Sequence, residues 1–496
     1  MTGAAAMVVG CTSDAGKSFL VAGLCRWFSN QGVRVAPFKA QNMSNNAAVC
    51  ADGSEIGRAQ HLQATAARVE PSARNNPVLL KPVALTASKV IVNGVPAPHI
   101  ERQPWTERFA ALWPVVCDAL DDLRAAYDLV LIEGAGSPAE INLKDGDIVN
   151  MRVARRENAA TYLVSDIDRG GSFAHLLGTW QCLDAEERAL LTGFVLNRFR
   201  GDPTLLGDGP EWLRRRTGVP IAAVVPWIEH SLPEEDRLVV RAAAGNRAAA
   251  GKRAAAGNRA AGPCIAVVGY PFASNTDEFD PLSRWTDVTV ELLSGVAALD
   301  RFDLVVLPGS RNVAASMDWL RASGFNRELV RYARAGGTIL GICGGLQLLG
   351  RAVFDDAGVE FGDARMSIDG LGLLDIETRL DPVKTTRVTT TTLLPAGAAC
   401  SGYEIHHGRT TAIDDVDALL ADGLGFRRGN VLGVYLHGLL GDPVFARYLR
   451  ASIGLDHLEA LADPWDLVVD RELDRLAGCL EDCGLAAHVA SGVGFR

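Results

Sequence analysis

The chain has no apolar segment long enough to span a bilayer, which excludes a helical membrane anchor within it. It also has no Lys/Arg-dense block, and a formal net charge of -10 makes it a poor match for sequence-independent binding to nucleic acid. Anionic ligands must therefore be held by local basic clusters. The ten cysteines are scattered, and the closest pair, Cys479 and Cys483, has neither a second pair nor clustered histidines to complete a zinc site. The apolar opening lacks a basic flank and a cleavage site, and it runs straight into a glycine-rich loop at Gly10. These absences lead us to expect a protein of the reducing cytoplasm with no membrane or nucleic-acid partner.

What the chain does have is enough apolar material for more than one core. It is 496 residues long and 48% apolar, and single cores usually stop growing near 250–300 residues, so two large domains are expected. The boundary shows in the composition. From Arg241 a hexad of Arg-Ala-Ala-Ala-Gly followed by Asn or Lys runs three times and closes at Gly262. Small side chains repeated this way cannot form a core, and a glycine in every repeat weakens a helix, so a flexible tether is expected over 241–262. The domains then cover 1–240 and 263–496. Before the tether, continuous apolar runs at 4–9, 33–37, 129–132, 161–164, 193–196 and 221–225 alternate with helical stretches; after it the pattern restarts at 264–268, 304–307, 338–340 and 431–435. Such runs read as buried parallel strands, and both halves as α/β, each with its own sheet.

Two motifs carry the chemistry. The first is the phosphate loop Gly10-Cys11-Thr12-Ser13-Asp14-Ala15-Gly16-Lys17-Ser18, which follows a strand and opens a helix. Backbone N–H groups from Gly10 through Thr12 to Gly16 can cradle the phosphates of ATP, Lys17 can reach the terminal ones, and the Ser18 hydroxyl can ligate Mg²⁺. Five residues rather than four separate Gly10 from Gly16, which favours the branch of P-loop enzymes resembling dethiobiotin synthetase. Glu133, at the end of a buried run and followed by Gly134-Ala135-Gly136, is the expected second metal ligand; Asp52 of the Asp52-Gly53 pair is a candidate for the same ion, with a simple turn as its alternative. Lys39, just past a strand, can neutralise charge on a transferring phosphoryl group.

The second motif is Gly341-Ile342-Cys343-Gly344-Gly345-Leu346-Gln347, a G-x-C-x-G-x-Q elbow whose glycines permit a sharp turn that lifts the thiol out of the sheet. Cys343 is the expected nucleophile. An N–H from the strand end at Leu307-Pro308-Gly309-Ser310, taken as that of Gly309, could join that of Gly344 as an oxyanion donor, each worth ~3–4 kcal/mol. The expected base is His437, at the end of an apolar strand far along the chain; His406 and His407 are its rivals, expected on an edge or turn. No Glu follows His437 at two residues, which leaves open what orients it. An anion cradle and an activated thiol in one chain point to glutamine-dependent amide synthesis.

The chain resembles the cobyric acid synthase family, glutamine-dependent amidotransferases of cobalamin biosynthesis. The likeness covers nearly the whole length, tether excepted, and rests on Lys39-Ala40-Gln41-Asn42-Met43-Ser44-Asn45-Asn46, Glu55-Ile56-Gly57-Arg58-Ala59-Gln60, Asn76-Pro77-Val78-Leu79-Leu80-Lys81-Pro82, Asp166-Ile167-Asp168-Arg169-Gly170-Gly171 and Asn197-Arg198-Phe199-Arg200-Gly201-Asp202. It implies a dethiobiotin synthetase-like P-loop domain followed by a class I glutamine amidotransferase-like domain. It further implies ATP, Mg²⁺, glutamine and a corrinoid as ligands, no tightly bound prosthetic group, and amidation of the b, d, e and g carboxylates of adenosylcobyrinic acid a,c-diamide. By analogy to the dethiobiotin synthetase branch, Asn197 at another strand end is expected to read the nucleotide base, and Asp166, Asp168 and Arg169 are candidates to touch substrate or phosphate, with a capping turn as their alternative. The number of subunits stays open, a homo-oligomer included. Two alternatives remain beside this reading: the a,c-diamide synthase of the same pathway, and a partition-type ATPase carrying an inactive glutaminase module.

Overall fold

The computed structural model describes residues 2–84, 87–233, 262–285, 288–361, 367–456 and 463–495. It divides into two units, Met1–Pro233 with Val469–Arg496, and Glu234–Val468. All but the last residue of the expected tether lies outside the described residues.

All six apolar runs of the first half are strands of one sheet, in the order Ile221–Pro226, Leu191–Phe199, Ala160–Asp166, Ala4–Gly10, Leu129–Glu133, Val35–Phe38, and every pairing is parallel. They lack polar alternation because helices cover both faces, so nearly every residue of the inner strands is buried. The chain begins at the centre, moves to one edge, and later fills the other side. Ala4–Gly10 is thus the strand at which the winding reverses, and ligands in such sheets bind beyond the carboxyl ends of strands at this switch point. A smaller sheet of Gln41–Met43, Val78–Ala84, Ala87–Val92 and Val95–Pro96, and a hairpin of Ala47–Val49 with Glu55–Gly57, occupy the long excursion between the second and third main strands.

In the second unit the four predicted strands Cys264–Val268, Leu304–Leu307, Thr338–Ile342 and Val431–Val434 pair in parallel, with Thr289–Leu293 added at the edge. From Val431–Val434 onward the sheet is antiparallel except where Ala352–Phe354 pairs with Ile376–Leu393, and it reaches eleven strands. A long hairpin of Ile376–Leu393 and Ala398–Ala412 dominates that end. Among the described residues no helix is long and apolar enough to cross a membrane.

One expectation about domain extent fails. Residues 469–496, assigned from sequence to the second domain, belong to the first unit. The anchor is Arg26, wholly buried on the helix Lys17–Asn30 that follows the phosphate loop; its guanidinium reaches Asp470 Oδ1 at 2.6 Å, Asp474 Oδ1 at 3.4 Å and the Thr65 carbonyl at 3.3 Å. Leu476 and Leu480 fill the space left by the missing side chain of Gly23, and the His488 carbonyl accepts from the Tyr162 hydroxyl at 3.2 Å. A helix's periodicity marks its apolar face but not the core that face will join. Replacing Asp470 and Asp474 together by Ala leaves the Arg26 charge buried and without its carboxylates, and is expected to destabilise the first unit by about 2–3 kcal/mol, measured as a lowered urea midpoint.

Candidate functional site

The phosphate loop leaves the carboxyl end of Ala4–Gly10 and turns into the helix Lys17–Asn30. Gly16 sits at φ 93°, and a Cβ there would lie 2.1 Å from Asn197 Nδ2, so only glycine fits. Asn197 donates through that nitrogen to the Ala15 carbonyl at 2.8 Å, which makes it a buttress of the loop. Lys17 Nζ donates to the carbonyls of Thr12 and Gly136, both at 3.1 Å, and so lies across the mouth of the cradle.

Glu133 is the hub beside it. Its carboxylate is 1% exposed and accepts from Ser18 Oγ at 2.7 Å and Lys39 Nζ at 2.8 Å on one oxygen, and from Gln63 Nε2 at 2.5 Å on the other. Burial alone would raise the Glu133 pKa, but Lys39, with help from Gln63 and Ser18, holds it below the usual carboxylate range. The predicted residues Ser18, Lys39 and Glu133 are therefore brought into direct contact. Gln63 was not singled out in the sequence; its signal was its place one helical turn beyond Gln60 in a run already marked by resemblance. Asp52 stands apart: it is exposed at the hairpin turn, its Oδ1 accepts the Ser54 N–H at 2.9 Å, and no described contact joins it to Ser18 or Glu133. Its turn alternative is the one that matches this geometry.

Ser18 and Glu133 offer hard oxygens side by side at the loop, and no group of three or more His, Cys, Asp or Glu able to hold a metal ion occurs among the described residues. Such a sparse oxygen set suits Mg²⁺, which keeps water and phosphate in most of its positions. At the next strand end, Asp166 accepts from Arg198 Nη1 at 2.8 Å, lies 3.3 Å from Arg169 Nε, and takes the Asp168 N–H at 3.0 Å. Asp168 pairs with Arg200 at 2.8 Å. These acidic residues are engaged in the turn and its ion pairs.

In the second unit Cys343 follows the strand Thr338–Ile342 at φ 51° and ψ -105°, outside the favoured regions for a residue with a side chain. The turn is enforced by hydrogen bonds from Cys343 N to the Val434 carbonyl at 2.7 Å and from Gln347 N to the Cys343 carbonyl at 3.2 Å. Gly344 permits a close approach to the neighbouring loop: a Cβ on it would lie 2.6 Å from Ser310 N. Gly309 and Ser310 pair with Ser274 and Ala273 in a short antiparallel ladder, in which Arg311 N donates to the Phe272 carbonyl. Because ladder N–H groups alternate sides, the Gly309 amide turns toward the ladder and the Ser310 amide toward the elbow. The donor facing Gly344 is thus one residue beyond the expected Gly309.

His437 meets this elbow from the far end of its strand. A Cβ on Gly309 would stand 2.9 Å from the ring's Cε1, and the Cys343 sulfur lies near enough to favour a charge on the ring. Paired backbone bonds to Tyr403, at 2.9 and 3.1 Å, hold its main chain, and the Tyr403 ring stacks on it with centroids 5.3 Å apart. Behind it lies Glu278, whose Oε1 is 3.1 Å from His437 Nδ1 and whose Oε2 takes the Gly438 N–H at 3.4 Å. Both side chains are buried. Burial works against a charged imidazole, but Glu278 and the Cys343 sulfur outweigh it and push the His437 pKa up to about 10; burial also pushes the Glu278 carboxyl up. His437 thus stands between the elbow and a buried carboxylate. Glu278, like Gln63 and Ser310, is a functional candidate that the sequence analysis missed.

His406 and His407 lie within the strand Ala398–Ala412, not on an edge or turn. His406 Nε2 is 3.1 Å from Glu404 and its ring stacks on Tyr435 at 4.0 Å, while His407 Nδ1 faces the Asp381 carbonyl at 2.9 Å. Neither has a described hydrogen bond to Cys343.

Residues 6–239 match the family model of the CobQ/CobB/MinD/ParA nucleotide binding domain, and residues 264–445 that of the CobB/CobQ-like glutamine amidotransferase domain. The chain is 49% identical to the cobyric acid synthase of Deinococcus radiodurans over 99% of its own length and 98% of that protein. It is 49% identical to that of Paracidovorax citrulli, covering 94% of this chain and 96% of the relative, and 47% identical to that of a Polaromonas species, covering 89% and 91%.

Proposed function

The chain belongs to the cobyric acid synthase family, and from that premise we propose that it amidates the b, d, e and g carboxylates of adenosylcobyrinic acid a,c-diamide with glutamine as nitrogen source and ATP as activator. The observation that carries this reading is the line Cys343–His437–Glu278 in the same chain as the Lys39–Glu133–Ser18 cluster at a phosphate loop.

In the glutaminase half, His437 takes the thiol proton and Cys343 attacks the side-chain amide carbon of glutamine. The N–H groups of Ser310 and Gly344 hold the oxyanion. His437 returns the proton to the departing nitrogen, ammonia leaves, and water attacking the glutamyl thioester releases glutamate and the thiol. Glu278 keeps the ring oriented with Nε2 toward sulfur and stabilises it when charged.

In the synthetase half, a carboxylate is too poor an electrophile to meet ammonia directly. It takes the γ-phosphoryl group of ATP, ADP leaves, and the acyl phosphate is attacked by ammonia to give the amide and phosphate. Lys17, swung from the Thr12 and Gly136 carbonyls, and Lys39 stabilise the charge on the transferring group. Ser18 and Glu133 would hold Mg²⁺, which neutralises phosphate charge when bound.

The test supplies purified protein with ATP and glutamine and counts added amides by mass, using cobyrinic acid and its a,c-diamide as separate substrates. Four amides on the diamide are expected; amidation of the a and c positions instead would identify the earlier enzyme, and none on either would refute the reading. Glu133→Gln is expected to lower ammonia-dependent synthesis by about 10²–10³-fold while leaving glutamate release within about twofold of wild type. Equal loss of both activities would contradict the assignment of Glu133 to the phosphoryl site.

A further inference from the structure

The synthetase half holds a buried hydrogen-bond donor that the mechanism above does not use. Gln60, fully buried on the helix Arg58–Ala66, accepts from Asn42 Nδ2 at 3.0 Å through its Oε1, and its Nε2 has no hydrogen-bond partner among the described residues. Because Asn42 engages the oxygen, it is the N–H face of the amide that is left over. Leaving such a donor unpaired in a protein interior is unfavourable, so its retention needs a reason.

Its position supplies one. Gln63 lies one turn further along the same face of the helix and donates to Glu133 at 2.5 Å, so the Cβ of Gln60 is about 5–6 Å from that of a residue that touches the phosphoryl site. The floor beneath is tied to the same site, since Asn76 donates to the Lys39 carbonyl at 3.1 Å and accepts the Gly57 N–H at 3.0 Å. Gly57 has to be bare there, because a Cβ would lie 2.4 Å from Asn42 Nδ2 and 2.5 Å from Gln60 Oε1. Asn42, Gln60 and Asn76 thus form a fixed amide ledge beside Lys39.

Resting on the reading given under Proposed function, we propose that this ledge is the acceptor subsite, and that Gln60 Nε2 donates to the corrinoid carboxylate that receives the phosphoryl group. One site must serve four carboxylates in different surroundings, so it should recognise the carboxyl group itself. An uncharged amide suits that cycle. It can bind the carboxylate, follow its oxygen into the acyl phosphate, and let go of the neutral product, whereas a fixed cation would favour the unreacted acid and resist each change of charge.

The experiment uses the full chain, ATP, ammonium chloride and adenosylcobyrinic acid a,c-diamide, with Gln60→Met as a substitution of similar volume. The KM for the corrinoid is expected to rise about tenfold or more, with the KM for ATP and the glutaminase rate within about twofold of wild type. A corrinoid KM that stays within about twofold overturns the proposal. So does a matched rise in both KM values, which would mean that Gln60 acts only by supporting Gln63 and Glu133. Gln60→Asn, which keeps the amide but withdraws it by one methylene, gives the same readout if the Met variant does not melt cooperatively; its corrinoid KM should rise alone as well. Failure of the wild-type protein to amidate the diamide would count against the function itself, while a working wild type with an unmoved variant would count against Gln60 alone.

Discussion

Cys343→Ala should abolish glutamine-dependent synthesis, by about 10³-fold or more, and leave ammonia-dependent synthesis within about twofold of wild type. The asymmetry follows from where the bonds are made. In the proposed mechanism glutamine is opened only by the sulfur, whereas the acyl phosphate forms with the help of Lys17, Lys39 and Glu133, and ammonia supplied from solution bypasses the sulfur altogether. The substitution is structurally mild. Alanine keeps the Cβ, so the backbone at φ 51° is no more strained than before, and the bonds that enforce it, Cys343 N to Val434 O and Gln347 N to Cys343 O, involve no side chain. Rates with glutamine and with ammonium chloride, taken on one preparation, check this. Retained use of glutamine would remove Cys343 from the mechanism, and loss of both activities would show that the elbow supports the synthetase half in some way other than by supplying ammonia.

The parts of the molecule that could be read from sequence are those whose signal is local. Parallel strands buried on both faces are continuous apolar runs, so the six strands of the first sheet and the parallel strands around Cys343 stand out. The hairpin of Ile376–Leu393 and Ala398–Ala412 does not, because its threonine-rich strands are half exposed and carry no sustained apolar run. The sites divide the same way. Ser18 and Glu133 sit at loop and strand ends beside glycines, Lys39 follows a strand end, and sequence alone suggested their convergence. Ser310 was missed by one residue because which amide faces the elbow depends on the ladder with Ala273–Ser274, a two-residue strand with no periodicity to detect. Glu278 was missed because it lies 159 residues from His437 in an acidic stretch where no spacing relates the two.

Glu278→Gln turns that last point into a measurement. The amide can still meet His437, but it carries no charge, and burial then acts on the imidazole with only the sulfur to oppose it. The His437 pKa, held at about 10 by Glu278 and Cys343, must fall. The sign follows from the direction of the shift. A raised histidine pKa means that the imidazolium survives up to the folded value and is lost as pH climbs through it, so the wild-type glutaminase should keep its rate across neutral and mildly alkaline pH and decline only near the top of that range. In the variant the alkaline limb should move down by about one unit or more, and the rate at neutral pH should drop by about 10²–10³-fold, since the ring loses its charge partner and an amide, which can present either its oxygen or its NH2, no longer fixes one tautomer. Ammonia-dependent synthesis should not move, because the proposed phosphoryl step uses none of these three groups. A purely packing role for Glu278 would lower the rate and leave the limb in place. The position of the alkaline limb in the glutamate-release profile therefore decides whether this carboxylate is the third member of the triad or only a neighbour of the second.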